Sequence, residues 1–329
     1  MEKIKIIRFG GDFRPAPERQ KELKSLVEQC DNLYPGIEIW YKRKVVKGLE
    51  EKERTAYILY ENSTPVGATI LKKGERAKIC SLRILPSAEK KGYGKILMAL
   101  VARDMRLNAK WSHFTIPEHI WEEKRHFFEE YGFEMLGIAG SQYRLFDQEL
   151  FCKAPFGSVW KKAVKCLPEL LKNISVNGVK IDYDLVMSVH SSYAKAIVSG
   201  KKRVEIRTRF SDKWVGSHTL VYSTAPVNSF VGSFRISGVI FDSPNSIWDN
   251  FSTEIWCNKD EFLNYTKGNE RVYAIILTDF FEFKQPLHKP QLSHIVDSDI
   301  KIPQSYSNFK NNPILEEAIS IGTLLHSTL

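Results

Sequence analysis

Apolar and polar positions follow two different rhythms along this 329-residue chain, and the change comes about half-way. The first half mixes strand and helix periods. Residues 4–9 read as a short strand, and Leu23, Leu26 and Val27 fall at helical spacing within a helix over 18–31. Apolar runs at 55–60 and 66–71, joined by a turn over 61–65, predict a hairpin, and a further strand over 77–85 is stopped by Pro86. A loop over 87–91 opens a helix over 92–107, in which Ile96, Leu97, Leu100 and Val101 share one buried face. A strand over 112–116 and a helix over 120–130 follow, with Gly132 placed as the glycine that ends the helix. A hairpin over 134–151 closes the half.

Residues 154–180 interrupt this rhythm. Breakers at 154–157 and 175–178 flank a short amphipathic helix over 159–171, so the stretch reads as a linker. Beyond it the chain turns to short strands with glycine turns, at 185–189, 204–207, 219–223, 230–240 and 271–283. That spacing predicts a small barrel or sandwich. A helical insert over 246–267 carries Trp248 and Trp256, and a short helix begins at Pro313. The expected organisation is a mixed α+β, two-domain chain: 1–153, a linker over 154–180, 181–312, and a tail over 313–329.

Composition narrows the class. With 43% hydrophobic and 26% charged residues the chain is a folded one rather than a disordered one. No apolar run approaches the roughly 18 residues of a membrane span, and the first residues lack the apolar centre of a signal peptide. The five cysteines, Cys30, Cys80, Cys152, Cys166 and Cys257, are odd in number and scattered. They suggest a reducing, cytoplasmic setting with no disulfide framework and no metal site. The net charge is +9, of which +6 lies in the residues through Lys153. Such a surplus permits phosphate binding without requiring it.

Two stretches carry candidate chemistry. The first runs from Leu82 to Leu97, where a strand enters a basic loop with glycines and the loop opens a helix. Gly92 and Gly94 let backbone approach a ligand, and the first N–H groups of the helix with its dipole suit a pyrophosphate. Lys90, Lys91 and Lys95 add positive charge. A Gly-x-Gly alone is common in strand-to-helix turns.

In context, this stretch resembles the GNAT acetyltransferases, in which a Gln/Arg-x-x-Gly-x-Gly/Ala loop holds the pyrophosphate of coenzyme A. Here the pattern falls on Glu89, Lys90, Lys91, Gly92, Tyr93 and Gly94, followed by Lys95. The run Phe127-Phe-Glu-Glu-Tyr-Gly-Phe133 is similar to a later segment of the family. The resemblance covers residues 1–153 and implies acetyl-CoA as donor, a mixed central sheet flanked by helices, and backbone contacts from Leu82 or Ile84 to the oxyanion and pantetheine. It implies direct attack by an amine on the thioester. Two departures stand out. Glu89 replaces Gln or Arg and would repel a pyrophosphate. Phe128 stands where the family often has the tyrosine that protonates the departing thiolate. The proton then comes from solvent or another residue, or catalysis is lost and only binding remains. Glu75, Glu118, His113 and His119 are candidate bases, each better explained as an ordinary surface or strand residue. Cys80 and Ser81 read as strand residues rather than nucleophiles.

The second stretch runs from Met187 to Arg209. A strand ends at His190, a helix over 193–199 is closed by Gly200, and a strand follows with Glu205 and Arg207 on one face. Lys202, Glu205, Arg207 and Arg209 would gather near one cleft, able to hold a phosphate or meet a base edge; a solvated salt-bridge cluster fits the same pattern. Gly200, Lys202, Glu205 and Arg207 match the Gly-x-Lys-x-x-Glu-x-Arg hallmark of the ASCH family, whose PUA-like barrels are linked to RNA. The resemblance spans 181–312 and extends to the runs 220–226, 231–234 and 302–306. One ASCH branch hydrolyses acetylated cytidine with a lysine and a threonine at this spacing. Glu205 replaces that threonine, which favours binding over hydrolysis. Together the two resemblances imply an acetyl-CoA-dependent N-acetyltransferase whose second domain selects RNA or a nucleotide-bearing substrate. The rivals are a coenzyme A-sensing, nucleic-acid-binding regulator and a protein N-acetyltransferase.

Overall fold

Runs of aliphatic and aromatic residues separated by tight turns build the first of two sheets. The computed structural model describes residues 2–10, 16–29, 34, 36–106, 108–139, 148–171, 174–176, 179–180, 182–296 and 298–326. Cys30, the end of the helix expected over 18–31, the turn of the hairpin over 134–151 and the second half of the breaker at 175–178 lie outside the described residues. The chain divides into two compact units, Met1–Ile181 with Thr323–Leu329, and Asp182–Gly322.

The first unit opens with β1 (Glu2–Phe9) and α1 (Pro17–Glu28), whose buried Leu23, Leu26 and Val27 are the expected stripe. Residues to which the pattern assigns no element form α2 (Ile37–Trp40), a π-helical stretch (Tyr41–Val46) and α3 (Lys47–Glu50). β2 (Arg54–Glu61) and β3 (Thr64–Lys72) are the expected hairpin, joined by Asn62 and Ser63. Both turn residues have positive φ, the conformation whose twist matches the strands. β4 (Arg76–Ile84) leads through a 3-10 turn to α4 (Tyr93–Met105), then β5 (Trp111–Pro117), α5 (Glu118–Glu129), β6 (Glu134–Ile138) and β7 (Glu149–Pro155).

Residues 154–180, expected as a linker, contribute ordered elements to this unit. α6 (Phe156–Leu171) packs on α4 and buries Val159, Ala163, Leu167 and Leu171, a stripe at four-residue spacing that needs a partner. β8 (Ile174–Val176) pairs in parallel with β1, and β9 (Val179–Lys180) pairs with β8. The sheet order is β6-β7-β5-β4-β3-β2-β1-β8-β9. At its centre β4 and β5 pair in parallel only through Arg76, Ala77 and Lys78. Beyond Lys78 they part: β4 stays with β3 as far as Ile84, and β5 stays with β7 as far as Pro117.

The second unit contains β10 (Leu185–Val189), α7 (Ser191–Val198), β11 (Val204–Arg207), β12 (His218–Ser223), β13 (Ser229–Asp242), α8 (Pro244–Ile255), α9 (Lys259–Thr266) and β14 (Val272–His288). α10 (Lys289–Val296) and β15 (Tyr306–Asn308), which the pattern misses, precede α11 (Pro313–His326). The strand order is β11-β14-β13-β12-β10-β15. Register shifts within β12–β13 and β13–β14 bend the sheet. It curls into a half-barrel around Leu185, Met187, Val221, Phe234 and Ile275. The helical insert α8–α9 covers the other face of β11 and β14 through Ile247, Ile255 and Phe262.

Candidate functional site

Among the described residues, the parting of β4 from β5 leaves one edge of β4 beyond Lys78 without a strand partner. Leu85 donates its N–H to Val66 of β3 at 2.8 Å. Successive residues of a strand point their backbone groups to alternate edges, so the N–H groups of Ile84 and Leu82 point away from β3, into the gap. The loop after β4 leads into α4, which packs against β4. Gly92 caps the helix with φ +81°, and a Cβ there would overlap Leu170. Gly92 therefore fixes the loop and its packing. Gly94 differs: it lies within the helix, and a Cβ would meet only the Phe127 ring at 3.5 Å. Among the described residues no side chain caps the helix, and the Lys95 N–H turns back to the Gly92 carbonyl at 3.0 Å.

The remaining loop residues divide by role. Tyr93 is buried, and its hydroxyl donates to Glu61 at 2.7 Å. Lys91 donates to the same carboxylate at 2.5 Å, so both side chains anchor the loop to the end of β2. Lys95 lies 3.9 Å from Glu130, and Lys90 is exposed with φ +63°. Glu89 turns to Lys124 of α5 at 3.2 Å. Phe128 is packed among Phe114, Trp121 and Phe133.

The candidate bases do not assemble. Glu75 pairs with Lys110 at the surface, and Glu118 and His119 are exposed at the start of α5. His113 sits between the rings of Trp111 and Phe151, where burial and then Lys78 hold its pKa below the ordinary value. A residue the pattern did not single out fits better. Glu149 opens β7 opposite Pro117, one strand beyond the gap, is 3% exposed, and accepts from the Tyr34 hydroxyl at 3.1 Å. A buried carboxylate rarely goes unexplained, but this one adjoins the residues 140–147, so periodicity gave no sign of its burial. Cys80 accepts from Arg54 at 2.7 Å, and Ser81 faces β3.

In the second unit three of the four expected residues meet. Lys202 and Glu205 are 4% and 7% exposed. The Lys202 Nζ donates to the Ile255 carbonyl at 2.5 Å and lies 3.4 Å from Glu205. Arg207 Nε is 3.0 Å from the other oxygen of Glu205, an ion pair not aligned as a hydrogen bond. Its Nη2 donates to the Ser188 carbonyl at 2.8 Å and its Nη1 to Ser305 Oγ at 3.2 Å. Arg209 lies past the end of β11, exposed and apart from the cluster. The insert supplies a wall. Cys257, Glu261 and Tyr265, at four-residue spacing, approach Lys202, Tyr193 and Arg207 respectively. Burial raises the Cys257 thiol and the Tyr265 hydroxyl above their ordinary pKa, so both are neutral donors near neutral pH.

Among the described residues no group of three or more His, Cys, Asp or Glu could hold a metal ion, and no helix is long and apolar enough to cross a membrane.

Comparison with known proteins gives the two halves their families. A family model described as an acetyltransferase (GNAT) domain matches residues 31–143, and one described as a domain of unknown function (DUF365) matches 184–297. The ASCH domain-containing ribonuclease of Zymomonas mobilis is 30% identical over 122 residues, which are 37% of this chain and 81% of that protein. The chain joins a GNAT acetyltransferase domain to an ASCH domain. Among solved structures, ASCH from Zymomonas mobilis is 27% identical, covering 41% of this chain and 93% of its own, with a TM-score of 0.38. A GNAT-family putative acetyltransferase from Desulfovibrio desulfuricans is 15% identical, covering 46% and 99%, with a TM-score of 0.38. The PaiA N-acetyltransferase of Thermoplasma acidophilum, solved with coenzyme A, is 16% identical, covering 46% and 98%, with a TM-score of 0.36. The open edge of β4 belongs to the GNAT domain, and the Lys202–Glu205–Arg207 cluster belongs to the ASCH domain.

Proposed function

We propose that this chain is an acetyl-CoA-dependent N-acetyltransferase acting on an amine of an RNA or nucleotide-bearing substrate that its ASCH domain selects. One observation carries the reading: a GNAT domain with an open β4 edge and a glycine-bearing helix start shares a chain with an ASCH domain holding a buried Lys–Glu–Arg cluster. In the GNAT domain the pyrophosphate of acetyl-CoA lies against the backbone N–H groups of Gly92, Tyr93 and Gly94, with Lys90 adding charge. The pantetheine arm enters the gap, where the N–H of Leu82 or Ile84 meets the thioester oxygen. Those donors stabilise the oxyanion that forms as the amine attacks. Glu149, with Tyr34, is the candidate base that keeps the amine neutral. Phe128 carries no proton, so the coenzyme A thiolate takes its proton from solvent.

The test is calorimetry with acetyl-CoA on the wild type and on Gly94→Asp, followed by radiolabelled acetyl transfer to total cellular RNA. Binding lost in the variant, with label appearing in RNA, supports the reading. Binding without transfer to RNA or to diverse amines makes the GNAT domain a coenzyme A sensor. Transfer to protein alone makes the chain a protein N-acetyltransferase.

A second reading of the ASCH cleft is RNA cleavage, favoured by the ribonuclease name of the Zymomonas mobilis relative. Glu205 would take the proton of a ribose 2′-hydroxyl as that oxygen attacks the adjacent phosphorus. Arg207 would meet the charge on the phosphoryl oxygens, and Lys202 would protonate the departing 5′-oxygen. Cleavage of RNA in the presence of a chelator, lost in Glu205→Gln, would establish it. Intact RNA under those conditions leaves the cleft a binding site.

A further inference from the structure

A row of side chains leads out of the ASCH cleft across the sheet. The register sets Arg207 of β11 opposite Tyr273 of β14, and Tyr273 opposite Phe241 of β13. Residues directly opposite one another share a face of the sheet. Tyr273 and Phe241 stack, with ring centroids 4.4 Å apart and planes 25° apart. The Arg271 guanidinium lies 4.4 Å from the Phe241 centroid and is held there by a 2.6 Å hydrogen bond from Nη2 to the Phe241 carbonyl. The row therefore reads cation, aromatic, aromatic, cation, from the buried ion cluster to solvent.

A cross-strand aromatic pair by itself only strengthens a sheet. This one is not covered. Phe241 is 42% exposed, Arg271 is exposed, and Tyr273 is half-buried. The neighbouring acid, Asp242, is next along the strand; Ser246 and the Ser243 N–H hold its carboxylate, which still feels the charge of Arg271. An exposed aromatic surface with a fixed guanidinium at one end and the Lys202–Glu205–Arg207 ion cluster at the other suits unpaired bases on a phosphate backbone.

We propose that Tyr273, Phe241 and Arg271 form a stacking subsite for the nucleotide adjoining the one held at the Lys202–Glu205–Arg207 cleft, which raises the affinity of the ASCH domain for an oligonucleotide over a free nucleotide. The proposal rests on the RNA reading of the ASCH domain. A base lies against the Phe241–Tyr273 stack, and Arg271 meets its phosphate or its ring. A duplex keeps its bases stacked on each other and cannot use such a surface.

The test is fluorescence anisotropy of the full chain with a labelled single-stranded RNA of about ten nucleotides, within the span of a compact single-strand site. The competitors are the same sequence as a duplex and a nucleoside monophosphate. The wild type is expected to bind the single strand more tightly than the monophosphate. Phe241→Ala should weaken it by about 5- to 100-fold, lowering the ratio of oligonucleotide to monophosphate affinity, and Phe241→Trp should restore it. Arg271→Glu, at an exposed position, should weaken the single strand likewise, and it serves if Phe241→Ala lowers the melting temperature. Single-strand affinity unchanged in both Phe241→Ala and Arg271→Glu overturns the subsite while the RNA reading stands. No binding of any RNA form by the wild type overturns the RNA reading, and the subsite with it.

Discussion

Glu89 and Lys124 form an ion pair, 3.2 Å from carboxylate to ammonium, that draws the carboxylate of the loop before α4 toward α5. The side chains are 40% and 37% exposed, so the pair adds little stability. Its consequence is electrostatic. Glu89→Gln should tighten acetyl-CoA binding by about two- to tenfold at low salt, with a smaller gain at high salt. Lys124→Ala should weaken it, because Glu89 loses its partner. Calorimetric titration at two salt concentrations measures both effects.

Gly92 and Gly94 should respond differently. Gly94→Asp places a carboxylate at the start of α4, where the helix dipole favours it and space exists. Its melting temperature should stay within a few degrees of wild type while acetyl-CoA binding is lost. Gly92→Ala forces a side chain into φ +81° and against Leu170. It should cost about 1–3 kcal/mol of stability, read by chemical denaturation.

Glu149→Gln should lower kcat for acetyl transfer by about 10²–10⁴, the usual weight of a general base. Acetyl-CoA binding persists. A kcat within threefold of wild type would remove Glu149 from the chemistry and leave it a partner of Tyr34.

The ASCH cluster should not tolerate the loss of one charge. Arg207→Gln leaves Glu205 with Lys202 alone in a buried setting and should destabilise this unit by about 3–5 kcal/mol. Differential scanning calorimetry of the full chain reads it as a shift of one transition. Binding assays on this variant therefore need a folding control.

Half-buried histidines set an acid limit for each unit. His113 in the GNAT domain and His218 in the ASCH domain are both held below the ordinary pKa, in each case chiefly by burial. As pH falls below about 6.5 the unfolded chain takes up these protons first. Stability present above that pH is therefore lost as pH falls toward the folded-state values. Denaturant midpoints at pH 7.5 and 5.5 should differ, and His113→Gln should flatten the GNAT share of the difference.

Much of the fold was legible because its strands carry strong local signals. The Asn62-Ser63 turn, the apolar face of α4, and Gly200 after α7 with its φ of +74° all announce themselves in the sequence. So did the meeting of Lys202, Glu205 and Arg207, since two-residue spacing in a strand fixes the face. The rest depends on distant partners. The π-helical stretch after α2 has no sequence signature of its own. Glu149 is buried by strands and a loop that meet it only in the fold. Cys257, Glu261 and Tyr265 are regularly spaced, but nothing in the sequence says that the face they share looks toward Lys202.

The pairing of β8 with β1 bears on how this protein can be taken apart. A fragment cut at Lys153 would keep every loop residue of the acetyltransferase yet lose α6 from the flank of α4 and bare the outer edge of β1. Bare edges recruit other chains, so such a fragment should aggregate, whereas one carried to Lys180 keeps its covering. What resembles a spacer is a seam allowance, and domain swaps or gene fusions that treat it as disposable would fail for want of it.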